Sequence, residues 1–274
     1  MTIKPLAKKL LNSVGIHDHH ITPFQLSYRL LRAAGLGIDR NFEFQRHNLR
    51  FRIEAEAVHD FEVFNRQEEF RSELEHFVRL SKNRRRFLDV GAFYGIFSLV
   101  FTSLTRGLAY AIEPSPHAYP TLKHHQIINP QLQIKTFNAG FGAENRTIYW
   151  KFDCLQLVAA GRDDTTQLEF PIVRMDDFVR EHAFEPDTIK LDTEGYELSV
   201  VQGGESFLTQ HSPILFLEVH VSWMSRLGHT PSELFHTLRS FGYSEFYQGA
   251  ETVDPVQKAE ESDNFRILCA KQRL

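Results

Sequence analysis

Cysteine is nearly absent: Cys154 and Cys269 are the only two in 274 residues, far apart and in no CxxC pairing. That excludes a disulfide framework and a cysteine-built zinc site, and it fits a reducing, cytoplasmic compartment. Long apolar runs are missing too. The opening stretch MTIKPLAKKLLNSVGIHDHH is basic at Lys4, Lys8 and Lys9, but Ile3, Leu6, Leu10, Leu11 and Val14 are spread at helical spacing. It predicts an amphipathic helix, and neither an export signal nor a transmembrane segment. Neither sign of charge is in excess, with Lys+Arg 31 against Asp+Glu 35 and a net charge of −4. A nucleic-acid partner therefore has no electrostatic footing. The basic run Arg84, Arg85, Arg86 reads as a solvated turn, and the HDHH tract at His17 to His20 as a loop without a metal. Repeats and low-complexity segments are also lacking.

What is present is core-forming material, 42% hydrophobic residues with 24 phenylalanines, enough for one large core or one core plus a small appendage. Thr22-Pro23 opens a short helix that Gly35 stops; Leu49, Phe51 and Ile53 alternate with Arg50, Arg52 and Glu54 as a half-buried strand; Phe70, Leu74, Phe77 and Val78 return to helical spacing. Residues 1–81 thus read as a mixed, mainly helical N-terminal extension, and residues 82–274 as the main domain. From Arg86 the order strand, turn, helix repeats: RFLDV, LAYAIE, LQIKTFN, a hairpin containing TIYWKF, DTIKLD, then PILFLEVH followed by the capping box Thr230-Pro231-Ser232-Glu233. This predicts an α/β fold with a mostly parallel, doubly wound sheet. YSEFYQ and NFRILCA, with no convincing helix between them, are expected to pair antiparallel as a C-terminal edge hairpin. Lys151 to Gln167 interrupts the alternation and is expected to be an acceptor-side lid.

In such a sheet ligands sit beyond the carboxyl ends of the strands. Asp89, the turn Gly91-Ala92-Phe93-Tyr94-Gly95 and Glu113-Pro114-Ser115 fall there. The dinucleotide fingerprint G-x-G-x-x-G fails because Phe93 stands where the second glycine belongs, and Asp89 would repel a pyrophosphate. A carboxylate beside a glycine turn suits a sulfonium or ammonium. Another carboxylate one strand later suits ribose hydroxyls. Together they predict S-adenosyl-L-methionine as cofactor, with Asn138 either on the adenine or simply forming a turn before Gly140. A nicotinamide-dependent dehydrogenase is the disfavoured enzyme alternative, and a non-catalytic donor-binding module the other.

The segments DVGAFYGIFSL, IEPSPHAYPTL, FNAGFG, VRMDDF, IKLDTEGYELSVVQGG and PILFLEVH, in this order, resemble the FkbM-type methyltransferases over roughly Phe87 to His220. The resemblance implies a class I methyltransferase (Rossmann-like) sheet and transfer to a hydroxyl oxygen on a sugar, glycan or secondary metabolite. It also implies donor contacts at Asp89, Gly91, Gly95, Glu113, Asn138 and Ala139. Phe93 departs from the asparagine common in that family.

Methyl transfer from a sulfonium is an in-line displacement, so the protein must hold an acceptor oxygen and help remove its proton. Asp192, Glu194 and His220 at two strand ends are expected to converge for this, with His220 as general base and Asp192 positioning the donor or the acceptor. Lys190, inside a strand, is expected to pair with Glu218. These acids could ligate a cation such as Mg²⁺, but nothing in their spacing requires it and no metal is expected.

Overall fold

The computed structural model describes residues 41–46, 49–54, 57–58, 68–153, 156–159 and 168–274. The helix expected after Thr22, the amphipathic opening segment, the His17 to His20 tract and most of the expected lid lie outside these residues. By compactness the chain divides into residues 42–148 with 170–274, and residues 1–41 with 149–169. In the smaller unit the expected hairpin is present, an antiparallel ladder pairing Trp150 with Ala159 through Asp153 with Gln156.

The larger unit includes three elements of the expected N-terminal extension as well as the main domain. In chain order, β1 (Asn41–Arg46) and β2 (Leu49–Glu54) form a two-stranded sheet, and α1 spans Glu68–Ser81. Then come β3 (Arg86–Val90), α2 (Ile96–Thr105), β4 (Leu108–Ile112), α3 (Tyr119–Ile128) and β5 (Gln133–Phe137). After β6 (Gly140–Phe141), β7 (Arg146–Asp153), β8 (Gln156–Ala159) and β9 (Leu168–Val173) follow α4 (Met175–Glu181), β10 (Thr188–Leu191), α5 (Glu197–Gly203) and α6 (Glu205–Gln210). The chain then runs through β11 (Ile214–His220), α7 (Val221–Arg226), α8 (Pro231–Ser240), β12 (Glu245–Gln248), β13 (Glu251–Thr252), α9 (Pro255–Glu261) and β14 (Asn264–Ala270). The eight-stranded sheet has the order β13-β12-β14-β11-β10-β3-β4-β5. From β11 to β5 it is parallel; β14 and β12 are antiparallel.

The C-terminal expectation needs one correction. Helix α9 stands between the two segments, after β13 and before β14, capped by the Asp254 side chain on the Val256 N–H. The two segments themselves pair antiparallel as expected, β12 with β14, and β14 lies between β12 and β11. The Thr230 capping box is present as expected, with hydroxyl and Glu233 carboxylate exchanging hydrogen bonds with each other's backbone N–H.

Both faces of the sheet are covered, so its strands read as apolar runs. On one face α1, α2 and β2 close over an aromatic cluster whose hub, Phe77, has ring centroids 5.1 Å from Phe87, 5.0 Å from Phe97 and 5.0 Å from Phe216. Leu88, Val90, Ile189, Leu191, Leu215 and Leu217 belong to the core on the other face. Strand β2 departs from clean alternation at its end: Glu54 is buried along with Phe51 and Ile53. Helix α3 explains this, because buried Asn129 and His125 take the N–H groups of Arg52 and Glu54.

Candidate functional site

Pleat and register decide which side chains share the site. Asp89 stands beside Lys190 across the β3–β10 ladder, and Lys190 beside Phe216 across β10–β11. Partners in register point to one face, and residues two apart along a strand do the same. Asp89, Lys190, Glu218 and His220 are therefore all delivered to the α2 side of the sheet, with His220 at the carboxyl end.

At the β3 end, Asp89 is fully buried and accepts a 2.6 Å hydrogen bond from the Ser98 hydroxyl in the first turn of α2. Burial pushes its carboxyl up to about 6, against the opposing pull of Lys190 and Ser98. One strand over, Glu113 accepts the Phe93 N–H on Oε2 and the Ser115 N–H on Oε1, each at 2.7 Å. Burial raises it to about 7 in spite of those two donors. Glu113 thus ties the glycine turn to the start of the next loop. Asn138 donates to the carbonyls of Glu113 and Pro114, so its amide serves the turn; Ala139 beside it is buried.

Neighbouring protein crowds the two glycines of the turn. Gly91 has φ +76°, and a Cβ on it would stand 1.7 Å from the Asp192 carbonyl oxygen; one on Gly95 would meet the Leu122 side chain at 2.5 Å. Both clear space for neighbouring protein. Phe93 sits between them at φ 50°, a left-handed conformation that asparagine tolerates better, and its ring stacks on Tyr94 at 3.9 Å.

At the ends of β10 and β11 the ion pairing differs from expectation. Lys190 pairs with Asp192, Nζ to Oδ2 at 2.7 Å, not with Glu218. Register accounts for it, since Glu218 lies two residues beyond the position level with Lys190 and instead accepts from Arg266 at 2.8 Å and Asn264 at 3.1 Å. Burial opposes charge on Lys190, but Asp192, Glu73 and Glu218 outweigh it and hold the ammonium above its usual range. The same ammonium holds Asp192 below the usual carboxylate range against burial. Arg266 also pairs with Glu73 from α1 at 2.7 Å.

His220 is anchored by Glu197, whose Oε1 lies 3.1 Å from Nδ1 and also accepts the N–H groups of Gly195 and Thr193. Nε2 then faces three carboxylates: Glu194 at 3.6 Å, Glu218 at 3.8 Å and Asp192 at 3.9 Å. Burial disfavours a charged ring, but Glu197, Glu194 and Asp192 prevail and push His220 up to about 9. Asp192, Glu194 and His220 do converge, their ligand atoms within 4.8 Å of one another.

Sequence reasoning missed Ser98, Glu197, Arg266 and Glu73. Ser98 and Glu197 carry a local signal, each standing in the first turn of a helix that follows a strand end. Arg266 and Glu73 carry none, because their partners are distant in sequence.

Residues 89–245 match the family described as methyltransferase FkbM domain. No curated protein matches the chain. Among solved structures, the methyltransferase FkbM of Methylobacillus flagellatus KT is 19% identical with a TM-score of 0.45, over 68% of this chain and 43% of that one, so this chain spans less than half of that protein's length. Fibrillarin of Aeropyrum pernix, in complex with natively bound S-adenosyl-L-methionine, is 13% identical with a TM-score of 0.46, over 84% and 82% of the two chains. Precorrin-6y C5,15-methyltransferase of Geobacter metallireducens GS-15 is 13% identical with a TM-score of 0.41, over 75% and 88%.

Proposed function

The chain belongs to the FkbM methyltransferase family, and from that premise we propose that it transfers a methyl group from S-adenosyl-L-methionine to a hydroxyl oxygen of a sugar, glycan or secondary metabolite. The observation that carries the donor assignment is the pair of buried carboxylates at the ends of adjacent parallel strands, Asp89 and Glu113, joined by the turn through the Phe93 N–H. Both have carboxyls pushed up by burial, so each gains from a ligand bringing positive charge or hydroxyl donors. The donor's chemistry fits that set: when bound, it supplies a methyl group activated on a sulfonium.

Asp89 and Glu113 would hold the donor, one by charge and the other at the ribose, with residues 91–95, Pro114, Ser115, Asn138 and Ala139 around them. Asp192, Glu194 and His220 form the acceptor end. Lys190 fixes the Asp192 carboxylate and Glu197 fixes the His220 ring, so an incoming hydroxyl meets oriented groups able to position it and take its proton. Small-molecule and glycan acceptors suit a chain whose net charge of −4 favours no polyanion.

Calorimetry with S-adenosyl-L-methionine and with NAD tests the donor, and label transfer from methyl-labelled donor to a panel of hydroxylated acceptors tests the reaction. Saturable binding of the first ligand alone, lost in Asp89→Ala, is expected. Binding of NAD in its place would overturn the reading.

A further inference from the structure

We propose that Asp192, Glu194 and His220 form a site for a divalent first-row cation of the Mn²⁺ type, with Glu218, a third carboxylate, 3.8 Å from the His220 ring. The first observation is convergence: among the described residues the ligand atoms of these three side chains all lie within 4.8 Å of one another. Two ligands of one ion at about 2.1–2.4 Å can stand at most about 4.2–4.8 Å apart, so the three can share a centre.

The second observation is the state of His220. Its side chain is 7% exposed, and its Nδ1 is committed to the Glu197 carboxylate. That leaves Nε2 aimed at Glu194, Glu218 and Asp192 oxygens at 3.6, 3.8 and 3.9 Å, all beyond hydrogen-bond reach. None of the three is close enough to hydrogen-bond a proton on Nε2; a cation placed among Nε2, Asp192 Oδ1 and the Glu194 carboxylate would displace that proton and satisfy all three groups. A histidine whose other ring nitrogen is held by a carboxylate is the usual arrangement for a metal ligand, because it fixes the tautomer and aims the lone pair.

The charges agree. Asp192, Glu194, Glu197 and Glu218 surround one imidazole, while the fixed cations are Lys190 on Asp192 Oδ2 and Arg266 on Glu218 Oε1. Asp192 keeps Oδ1 toward the ring. One nitrogen with several carboxylates suits Mn²⁺ or its first-row neighbours better than Ca²⁺, which takes oxygen ligands. Glu194 is 54% exposed, so the site opens outward and leaves coordination positions for water or a hydroxyl. Only that last role, a hydroxyl bound at the cation, rests on the methyl-transfer reading; cation binding itself does not.

The test titrates the full chain with Mn²⁺ and follows the free-ion electron paramagnetic resonance signal, with donor binding measured by calorimetry on the same sample. The expected result is one Mn²⁺ per chain with a dissociation constant below about 1 mM. It should weaken at least about tenfold in Glu194→Gln and in His220→Gln, and stay unchanged in Glu261→Gln, an exposed acid elsewhere. Because Glu194 is half exposed, its variant keeps the test valid if the His220 variant fails to fold. No saturable Mn²⁺ binding by the unaltered protein, or equal weakening by Glu261→Gln, would overturn the proposal whatever the donor does. Lost donor binding with intact Mn²⁺ binding would count against the methyl-transfer reading alone.

Discussion

The carbonyl oxygen of Asp192 occupies the place a side chain on Gly91 would need, 1.7 Å from its ideal Cβ. The end of β10 is thereby pressed against the turn that follows β3, and the acid that closes one half of the site rests on the glycine that opens the other. Gly91→Ala forces a carbon into a backbone oxygen at φ +76° and should cost more than about 4 kcal/mol or prevent folding. Gly228 has φ +77° with nothing within 4 Å, so Gly228→Ala carries the conformational strain alone, about 1 kcal/mol. Denaturant unfolding of the two variants isolates the contact; equal losses would refute it.

Asp89 trades stability for binding. Its carboxyl titrates near 6 in the folded chain and near 3.9 when unfolded. The folded state therefore keeps a proton that the unfolded state has released, and the associated stability is present in acid and lost as pH rises through about 4 to 6. Asp89→Asn removes that loss. It should stabilise the donor-free protein at pH 8 by up to about 3 kcal/mol, with no gain at the acid end, while weakening the donor at least about tenfold. Urea unfolding across pH checks the sign, and a variant less stable at pH 8 would contradict it.

Ser98→Ala strips Asp89 of the one hydroxyl that favours its ionised form. The acid limb of donor affinity should move toward neutral pH, with affinity at high pH close to that of the unaltered protein. Calorimetric titrations over pH would show it; an unmoved limb would mean that Asp89 does not control binding.

His125 joins the turn to β2, its Nδ1 at 2.6 Å from the Tyr94 carbonyl and its Nε2 accepting the Glu54 N–H at 2.9 Å. Only the neutral ring with hydrogen on Nδ1 satisfies both, and burial depresses its pKa to about 4. Because the unfolded ring takes a proton near 6.5, stability is complete above that pH and falls as pH drops toward 4, by about 3 kcal/mol in all. Nitrogen-15 NMR of the ring should find the Nδ1–H tautomer and no titration between pH 7 and 5. A midpoint near 6.5 would disprove the buried bridge.

Much of this was legible in the chain. Apolar runs ending in Asp89, Glu113, Asp192 and His220 mark strand ends that line one rim of the sheet, and the parity of each run shows which side its acid faces. Register was not legible. Whether Lys190 meets Asp192 or Glu218 depends on a two-residue offset between β10 and β11, which neither segment encodes alone. Arg266 and Glu73 were hidden for the same reason: their meeting at 2.7 Å joins elements far apart in sequence. The glycines were visible, but not the purpose of Gly91, because the carbonyl it makes room for arrives with a distant strand.

The place of β14 bears on how the protein is made. Residues 264–270 are synthesised after β12 and β13 but lie between them and β11. While the chain is still on the ribosome, β12 and β13 can pair only with each other, and the open edge of β11 is a template for any extended chain nearby. The Glu218 carboxylate waits as well, since Arg266 and Asn264 come with that strand. A ribosome stalled shortly before residue 264 would hold a chain whose central strands are paired but whose β11 edge is exposed, the species that chaperones and proteases would meet first.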